Sequence, residues 1–168
     1  FHSVAQESTD PNEFMYRANQ ALVNCQERGS FISAIFFVID TKLNTIRYAR
    51  AGHCPVLYYS SKIQKVEYFK DKGIALGMVR NKSFREFIQS NEFAYGSGDV
   101  MVLYTDGITE ARNEKGDEFG YERLATALKE ASDKSPKEIQ EHLIHGLYEF
   151  SGTEHLNDDY TMVIVKFK

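Results

Sequence analysis

Carboxylate side chains stand at the ends of the two most apolar runs of the sequence. Asp106 follows Val-Met-Val-Leu-Tyr-Thr at 100–105 and precedes Gly107, while Asp158 and Asp159 precede Met-Val-Ile-Val at 162–165. If the two runs form neighbouring antiparallel strands, the end of the first meets the start of the second, and the carboxylates converge. Converging carboxylates suit a hard divalent cation such as Mg²⁺ or Mn²⁺, which prefers oxygen ligands. The leading hypothesis is therefore metal-assisted chemistry on a phosphate.

Each acidic motif also has a simpler explanation when it is taken alone. Asp and Gly are common turn residues, so Asp106 and Gly107 are compatible with an ordinary turn. The Asn-Asp-Asp sequence at 157–159 is equally compatible with a solvated loop. Only their combination, at facing ends of the two most apolar strands, favours a metal site. Gly107 would then let the backbone approach a metal or its bound water closely.

Histidines occur in two further places where metal binding is an alternative. His53 lies in Ala-Gly-His-Cys-Pro at 51–55, between two predicted strands, and is either a ligand, a general acid or a loop histidine satisfied by backbone groups. The last of these is the more common situation. His142 and His145 have a spacing that can bind zinc on a helix. No Cys or further His stands in suitable register, so a polar helix surface is favoured.

Two helices begin with the same signal, an N-cap side chain followed by Pro and, three residues after the cap, by Glu. The first runs from 10 towards Gly29 and the second starts at Ser135, with a third helix predicted at 121–131. Their apolar spacing predicts the inward-facing residues. These are Phe14, Ala18, Ala21, Leu22 and Cys25 in the first helix, Ile139, Leu143, Leu147 and Phe150 in the second, and Leu124, Ala127 and Leu128 in the third.

The remaining apolar segments predict strands at 31–39, 45–49, 56–59, 65–69, 84–89, 100–104 and 160–167. The continuously apolar run 100–104 should be buried on both faces. The last strand should rejoin the sheet beside it. A helix, a block of strands, more helices and a final strand make an α+β order rather than alternating βαβ.

Composition predicts one globular domain, since 168 residues with 42% hydrophobic content can build a substantial core. The net charge of −4 gives no electrostatic reason to expect a nucleic-acid partner. Cys25 and Cys54 match no CxxC spacing, which favours buried or partly buried free thiols in a reducing cytoplasm. No run approaches the roughly 18 apolar residues of a membrane span, and no signal peptide is visible. The sequence does not begin with Met, so we expect an excised piece of a longer protein.

Taken as a set, the motifs resemble the SpoIIE-like (RsbU-like) branch of the PPM metal-dependent protein phosphatases. The most specific stretch is Thr-Asp-Gly-Ile-Thr-Glu-Ala-Arg at 105–112, and the similarity extends from about Asp10 to Phe167. It lies within a matching stretch at 98–113, and further matching stretches lie at 31–39, 51–55, 74–77, 119–120 and 158–161.

The resemblance implies a four-layer α-β-β-α sandwich and hydrolysis of phosphoserine or phosphothreonine on a regulatory protein, of the type that opposes an anti-sigma factor in bacterial partner switching. It implies two Mn²⁺ or Mg²⁺ ions in the intact domain, with Asp106 and Asp158 as ligands of the second ion. No catalytic residue is expected beyond the metal ligands. Gly107, Asp159 and His53 are expected beside those ligands.

One family segment, Asp-Val-Ser-Gly followed by His or Lys and Gly, has no counterpart here, and its aspartate bridges both metals. We therefore expect at most one weakly held ion and little activity from these 168 residues alone. The first strands of the sheets should be absent with it, and open sheet edges then favour self-association. The alternative is a non-catalytic binding module with a degenerate phosphatase fold.

Overall fold

The computed structural model describes residues 9–25, 29–80, 82–154, 156 and 158–168, with the side chain of Lys82 left aside. The predicted motif residue Asn157 and the N-terminal residues 1–8 lie outside this part of the chain. The chain divides into two compact units. The first comprises Phe1–His53 and Asp71–Tyr95, and the second comprises Cys54–Lys70 and Gly96–Lys168. A single phosphatase domain over the whole chain stays a prediction.

The secondary structure follows the predicted α+β order. In chain order the elements are α1 (Pro11–Cys25), β1 (Ala34–Asp40), β2 (Thr45–Ala51), β3 (Val56–Ser60), β4 (Lys65–Phe69), a 3₁₀ helix (Lys82–Phe87), β5 (Ser90–Ala94), β6 (Val100–Tyr104), α2 (Asp106–Thr109), α3 (Gly120–Ala131), α4 (Pro136–Ser151) and β7 (Met162–Lys166).

The first unit consists of an antiparallel sheet in the order β1-β2-β5 with α1 packed on it. The Asp10 carboxylate caps α1, as predicted, by accepting the backbone N–H of Asn12 at 2.8 Å and of Glu13 at 3.2 Å. The side chains of Phe14, Met15 and Ala18 bury one face of the helix. They pack in a core with Ala49, Ala51, Leu76, Phe84 and Ile88.

The inward face of α1 differs from the prediction at four positions. Ala21 and Cys25 are exposed, and Met15 and Asn19 are fully buried instead. Asn19 belongs inside because its Oδ1 accepts the Gly77 N–H at 2.7 Å and its Nδ2 donates to the Val79 carbonyl at 2.9 Å. The expectation of a buried or partly buried thiol is therefore wrong for Cys25. It is right for Cys54, which is partly buried, and neither cysteine forms a disulfide.

The predicted strand at 84–89 is also wrong. Residues 82–87 form the 3₁₀ helix, and the strand that pairs with β2 follows at Ser90–Ala94. Phe84 in this helix and Ile88 directly after it are both buried. Phe87 lies between them and is half exposed.

The second unit has a four-stranded antiparallel sheet in the order β4-β3-β6-β7. Strand β6 lies between β3 and β7, and all of its residues except Leu103 are buried. The predicted pairing of this run with the last strand is confirmed.

Helices α3 and α4 of the same unit share a core with the sheet, which includes Leu124, Leu128, Ile139, Leu143 and Leu147. The predicted start of α4 is confirmed as a reciprocal capping box. Ser135 and Glu138 form it, and Gly152 ends the helix in the left-handed conformation. In the described part of the chain no helix is long and apolar enough to cross a membrane.

Candidate metal site

The facing ends of β6 and β7 form the candidate site in the second unit. The ladder ends with Tyr104 opposite Met162. Immediately beyond it, the Thr105 N–H donates to the Thr161 carbonyl at 3.1 Å, and the Thr161 N–H donates to the Thr105 hydroxyl at 2.9 Å. The Thr105 hydroxyl is therefore engaged across the strands and does not cap α2, whose N-cap residue it is. These two bonds join the segments that carry Asp106 and Asp158.

Gly107 is the point of closest approach between these segments. A Cβ at this position would lie 2.5 Å from the carbonyl oxygen of Asp159, which is too close for any real side chain. From the sequence, this glycine was expected to let the backbone approach a metal or its bound water, and that role stays a prediction. The neighbour that the structure shows there is the backbone of Asp159.

The three carboxylates of the two segments are exposed to solvent. An oxygen of Asp106 accepts the Gly107 N–H at 3.1 Å, and an oxygen of Asp158 accepts the Asp159 N–H at 2.8 Å. A carboxylate can accept about four hydrogen bonds or ligand contacts, so these short-range bonds orient the groups and leave most of their capacity open.

Two open cavities meet at Asp158. One of about 240 Å³ is lined by Gly107, Glu110, Ala111, Arg112 and Asp158. Another of about 290 Å³ is lined by Glu154, Leu156, Asp158, Asp159 and Tyr160. A ligand in either cavity would therefore contact a segment of the β6–β7 junction.

The donor chemistry of the junction fits a hard cation that keeps part of its water shell. Asp106 and Asp158 supply oxygen ligands of the kind that Mg²⁺ and Mn²⁺ bind, commonly one or two carboxylates together with water and phosphate. Among the described residues, no group of three or more His, Cys, Asp or Glu side chains is placed to hold a metal. The junction thus supplies part of a coordination sphere.

The histidines considered from the sequence have contacts of their own. His53 belongs to the first unit, where its Nδ1 lies 3.4 Å from the Ser33 hydroxyl and its carbonyl accepts a bond from Arg50. Its expected place beside the metal ligands stays a prediction. His142 faces Glu130 at 3.4 Å and His145 faces Glu149 at 3.3 Å, as on a polar helix surface.

Sequence reasoning missed two features around the junction. Glu110 and Arg112 line the 240 Å³ cavity. From the sequence they stood out only as members of the Thr-Asp-Gly-Ile-Thr-Glu-Ala-Arg motif. In addition, the hydroxyl of Tyr160, next to Asp159, pairs with the Tyr148 hydroxyl of α4 at 2.8 Å. This bond, together with burial, raises the pKa of Tyr160 to about 12. No local signal connects Tyr148 to Tyr160, because α4 ends and a loop intervenes.

Comparison with known proteins adds a family and a fold to this geometry. The family described as Stage II sporulation protein E (SpoIIE) matches residues 1–168. Phosphoserine phosphatase RsbU of Bacillus subtilis (strain 168) is 27% identical over 168 residues, which is 99% of this chain and 48% of RsbU. The chain therefore spans about half the length of this relative.

Solved structures with the same fold include the SiaA-PP2C domain of Pseudomonas aeruginosa. It matches with a TM-score of 0.80 and 22% identity, over 96% of this chain and 62% of that one. The PP2C phosphatase domain of SpoIIE from Bacillus subtilis, solved with a fragment of its regulatory domain, matches with a TM-score of 0.78 and 18% identity, over 99% of this chain and 47% of that one. The predicted α+β, PPM-like fold class is thereby confirmed.

Proposed function

The chain belongs to the Stage II sporulation protein E (SpoIIE) family, and from this premise we propose that it is part of a metal-dependent protein serine/threonine phosphatase. The observation that carries the proposal is the β6–β7 junction. Two hydrogen bonds between Thr105 and Thr161, one of them to the Thr105 side-chain hydroxyl, hold the segments of Asp106 and Asp158 together, as a shared metal ligation would require.

In this proposal Asp106 and Asp158 bind Mn²⁺ or Mg²⁺ through carboxylate oxygens that stand open to solvent. A bound ion of this kind supplies an activated water and neutralises charge on the phosphate. The backbone carbonyl of Asp159 packs so closely against Gly107 that a side chain at this position would clash with it. The protein's own contribution at the junction is therefore to hold two carboxylates in a fixed relation.

The substrate in this proposal is a phosphoserine or phosphothreonine of a regulatory protein. The name of RsbU, a phosphoserine phosphatase, supports the phosphoserine part. An anti-sigma factor antagonist as partner and a cytoplasmic location stay predictions from the sequence. Self-association through open sheet edges also stays a prediction. The outer strand β7 offers such an edge, and its Val163 side chain is half exposed.

The 168 residues alone should hydrolyse phosphate esters poorly. Two carboxylates at the junction can share one ion, whereas a pair of ions about 3.5–4 Å apart requires a bridging ligand as well. The same shortage favours the second candidate, a binding module that docks a phosphoprotein without hydrolysing it. The two candidates differ in whether the carboxylates matter for turnover.

The test is Mn²⁺-dependent hydrolysis of a phosphoserine peptide by the full-length protein. Asp106→Asn should lower kcat/KM at least about a hundredfold, because an amide is a poor substitute for a carboxylate ligand. Asp133→Asn, at an exposed position in the turn between α3 and α4, is the matched control and should keep full activity. Full activity of Asp106→Asn would refute the assignment. An inactive full-length protein that still binds the phosphopeptide would support the binding module.

A further inference from the structure

We propose that Arg112 binds the phosphate group of the phosphoprotein in the 240 Å³ cavity beside Asp158. This inference rests on the proposed function, because it assumes that a phosphorylated side chain enters the cavity. Among the residues that line the cavity, Arg112 carries the positive charge, and Glu110 and Asp158 carry negative charges. Two carboxylates by themselves repel a phosphate, and the guanidinium of Arg112 would offset that repulsion on this wall.

The hairpin that carries Arg112 is held by hydrogen bonds within itself. Arg112 and Glu118 face each other in an antiparallel bridge, and the Phe119 N–H donates to the Ala111 carbonyl at 2.8 Å. At the tip, the side-chain oxygen of Asn113 accepts the N–H groups of Lys115 at 3.0 Å and of Asp117 at 2.9 Å. The backbone at Arg112 is thus fixed before any ligand arrives, which lowers the entropy cost of binding.

A second arginine anchors the base of this hairpin to α3. Arg123 donates from Nη1 to the carbonyls of Glu118 at 3.1 Å and Phe119 at 3.0 Å. Its guanidinium lies 4.4 Å from the ring centre of Phe150, and the buried ring of Phe119 packs edge-on against the same ring. The base of the hairpin is therefore fixed to α3 and α4 of the second unit.

The side chain of Arg112 forms an ion pair with Glu118, but the pair is weak enough for a ligand to replace Glu118. Its Nη2 lies 3.1 Å from an oxygen of Glu118, and both side chains are at least half exposed. An exposed pair of this kind contributes little to stability, and its charges are largely screened by water. A phosphate carries more charge than a carboxylate, and a guanidinium can donate two parallel hydrogen bonds to it. We therefore expect phosphate to displace Glu118 from Arg112.

The first arm of the test measures binding without turnover. A fluorescently labelled phosphoserine peptide is titrated with the full-length protein in the presence of a metal chelator, and the same peptide with unmodified serine is the reference. Arg112→Gln should weaken binding of the phosphopeptide at least about tenfold, as expected for the loss of one charge-assisted pair, and leave the serine peptide unaffected. The affinity of Arg112→Lys for the phosphopeptide should lie between those of the wild type and Arg112→Gln. Lysine keeps the positive charge but cannot donate the two parallel hydrogen bonds of a guanidinium.

The matched control is Arg47→Gln, which removes an exposed arginine that lies 3.9 Å from Glu92 on the first unit's sheet. It should bind both peptides as the wild type does. Equal affinity of Arg112→Gln and wild type for the phosphopeptide would overturn the inference, whether or not the protein is an enzyme. Circular dichroism and the melting temperature check that each variant is folded.

The second arm measures steady-state hydrolysis with Mn²⁺. Arg112→Gln should raise KM for the phosphopeptide about tenfold or more and change kcat by a smaller factor. Unchanged KM would contradict the inference. If the wild-type protein does not hydrolyse the peptide but Arg112→Gln still loses phosphate-dependent binding, the proposed function fails and the inference stands.

Discussion

Strand β6 has an aspartate near each end, and the two occupy opposite environments. Asp99 directly precedes the strand and is 4% exposed, whereas Asp106 follows it by two residues and is exposed. Asp99 accepts the Tyr58 hydroxyl at 2.5 Å, the Ser61 N–H at 2.7 Å and the Gly96 N–H at 2.8 Å. Asp106 accepts the Gly107 N–H at 3.1 Å from its own neighbour.

The difference separates a carboxylate that builds the fold from one that is open to a ligand. Burial alone would raise the pKa of Asp99, but the bonds from Tyr58, Gly96 and Ser61 outweigh it and hold the pKa below its ordinary value. The ionised carboxylate of Asp99 therefore serves as a hydrogen-bond acceptor that stabilises the loops next to β6. Asp106 has no comparable set of donors from other segments among the hydrogen bonds of the described residues, so a cation can bind it without breaking the fold.

The largest expected effect is on catalysis at the exposed end. Asp106→Asn and Asp158→Asn should each lower kcat/KM at least about a hundredfold, and the double variant should lose little more than either single one, because both remove the same ion. Steady-state kinetics with Mn²⁺ measures this, and the free energy of unfolding should stay within about 0.5 kcal/mol of the wild type. Fully multiplicative losses would show that the two carboxylates act independently.

Substitution of Asp99, at the buried end of β6, should lower the stability of the protein and not its activity. Asp99→Asn places an amide N–H against backbone N–H donors that cannot reverse, so the free energy of unfolding should fall by about 2 kcal/mol. Urea denaturation measures it. Activity per folded molecule should remain close to that of the wild type. A loss of activity as large as that of Asp106→Asn would contradict the assignment of a structural role to Asp99 and a ligand-binding role to Asp106.

The acid dependence of stability gives an independent check on Asp99. Its pKa in the folded protein lies below the ordinary value of 3.8. Its contribution is therefore fully present above pH 3.8 and is lost as the pH falls through the folded pKa. The difference in unfolding free energy between wild type and Asp99→Asn should accordingly shrink on acidification below that pH. A difference that stays constant would contradict the assigned role.

A smaller effect is expected at the junction glycine. Gly107→Ala places a Cβ 2.5 Å from the Asp159 carbonyl, so the 158–160 segment and α2 must move apart. Overpacking of this kind costs about 1–3 kcal/mol of stability, and kcat/KM should fall with it because Asp158 moves. Gly146→Ala is the matched control, since a Cβ there meets no atom within 4 Å. That control should be neutral or stabilising.

The smallest effect is expected at Tyr148. Tyr148→Phe removes the hydroxyl that pairs with Tyr160, and one such bond contributes about 1 kcal/mol. The pKa of Tyr160, now raised to about 12, should move back towards 10, which ultraviolet titration of tyrosine absorbance detects. An unchanged titration would show that the pair does not form in solution.

The sequence predicted the parts of the fold that depend on local patterns. The Pro residues and caps at Asp10 and Ser135 predicted two helix starts, and the continuous apolar run at 100–104 predicted a buried strand, in which all residues but Leu103 are buried. The junction itself followed from pairing the two most apolar runs. Each of these signals lies within a few residues of the element that it predicts.

The errors occurred where distant partners decide the outcome. Asn19 is buried because Gly77 and Val79, about sixty positions away, supply its hydrogen-bond partners. The segment at 84–89 is short and apolar, and its helical turn is favoured by burial of Phe84 and Ile88 in the core of the first unit. Neither contact can be seen in a local window, and the same is true of the cavity that joins Arg112 to Asp158.

The reciprocal bonds between Thr105 and Thr161 also bear on how this chain can change. The chain between these two residues includes α2, α3 and α4. It forms one long connection that leaves the sheet at the end of β6 and returns to it beside that end, at the start of β7. Lengthening a loop inside such a connection costs little, about 0.6 kcal/mol for each doubling of its length. Insertions in the turn between α3 and α4 can therefore accumulate during evolution while Asp106 and Asp158 keep their separation.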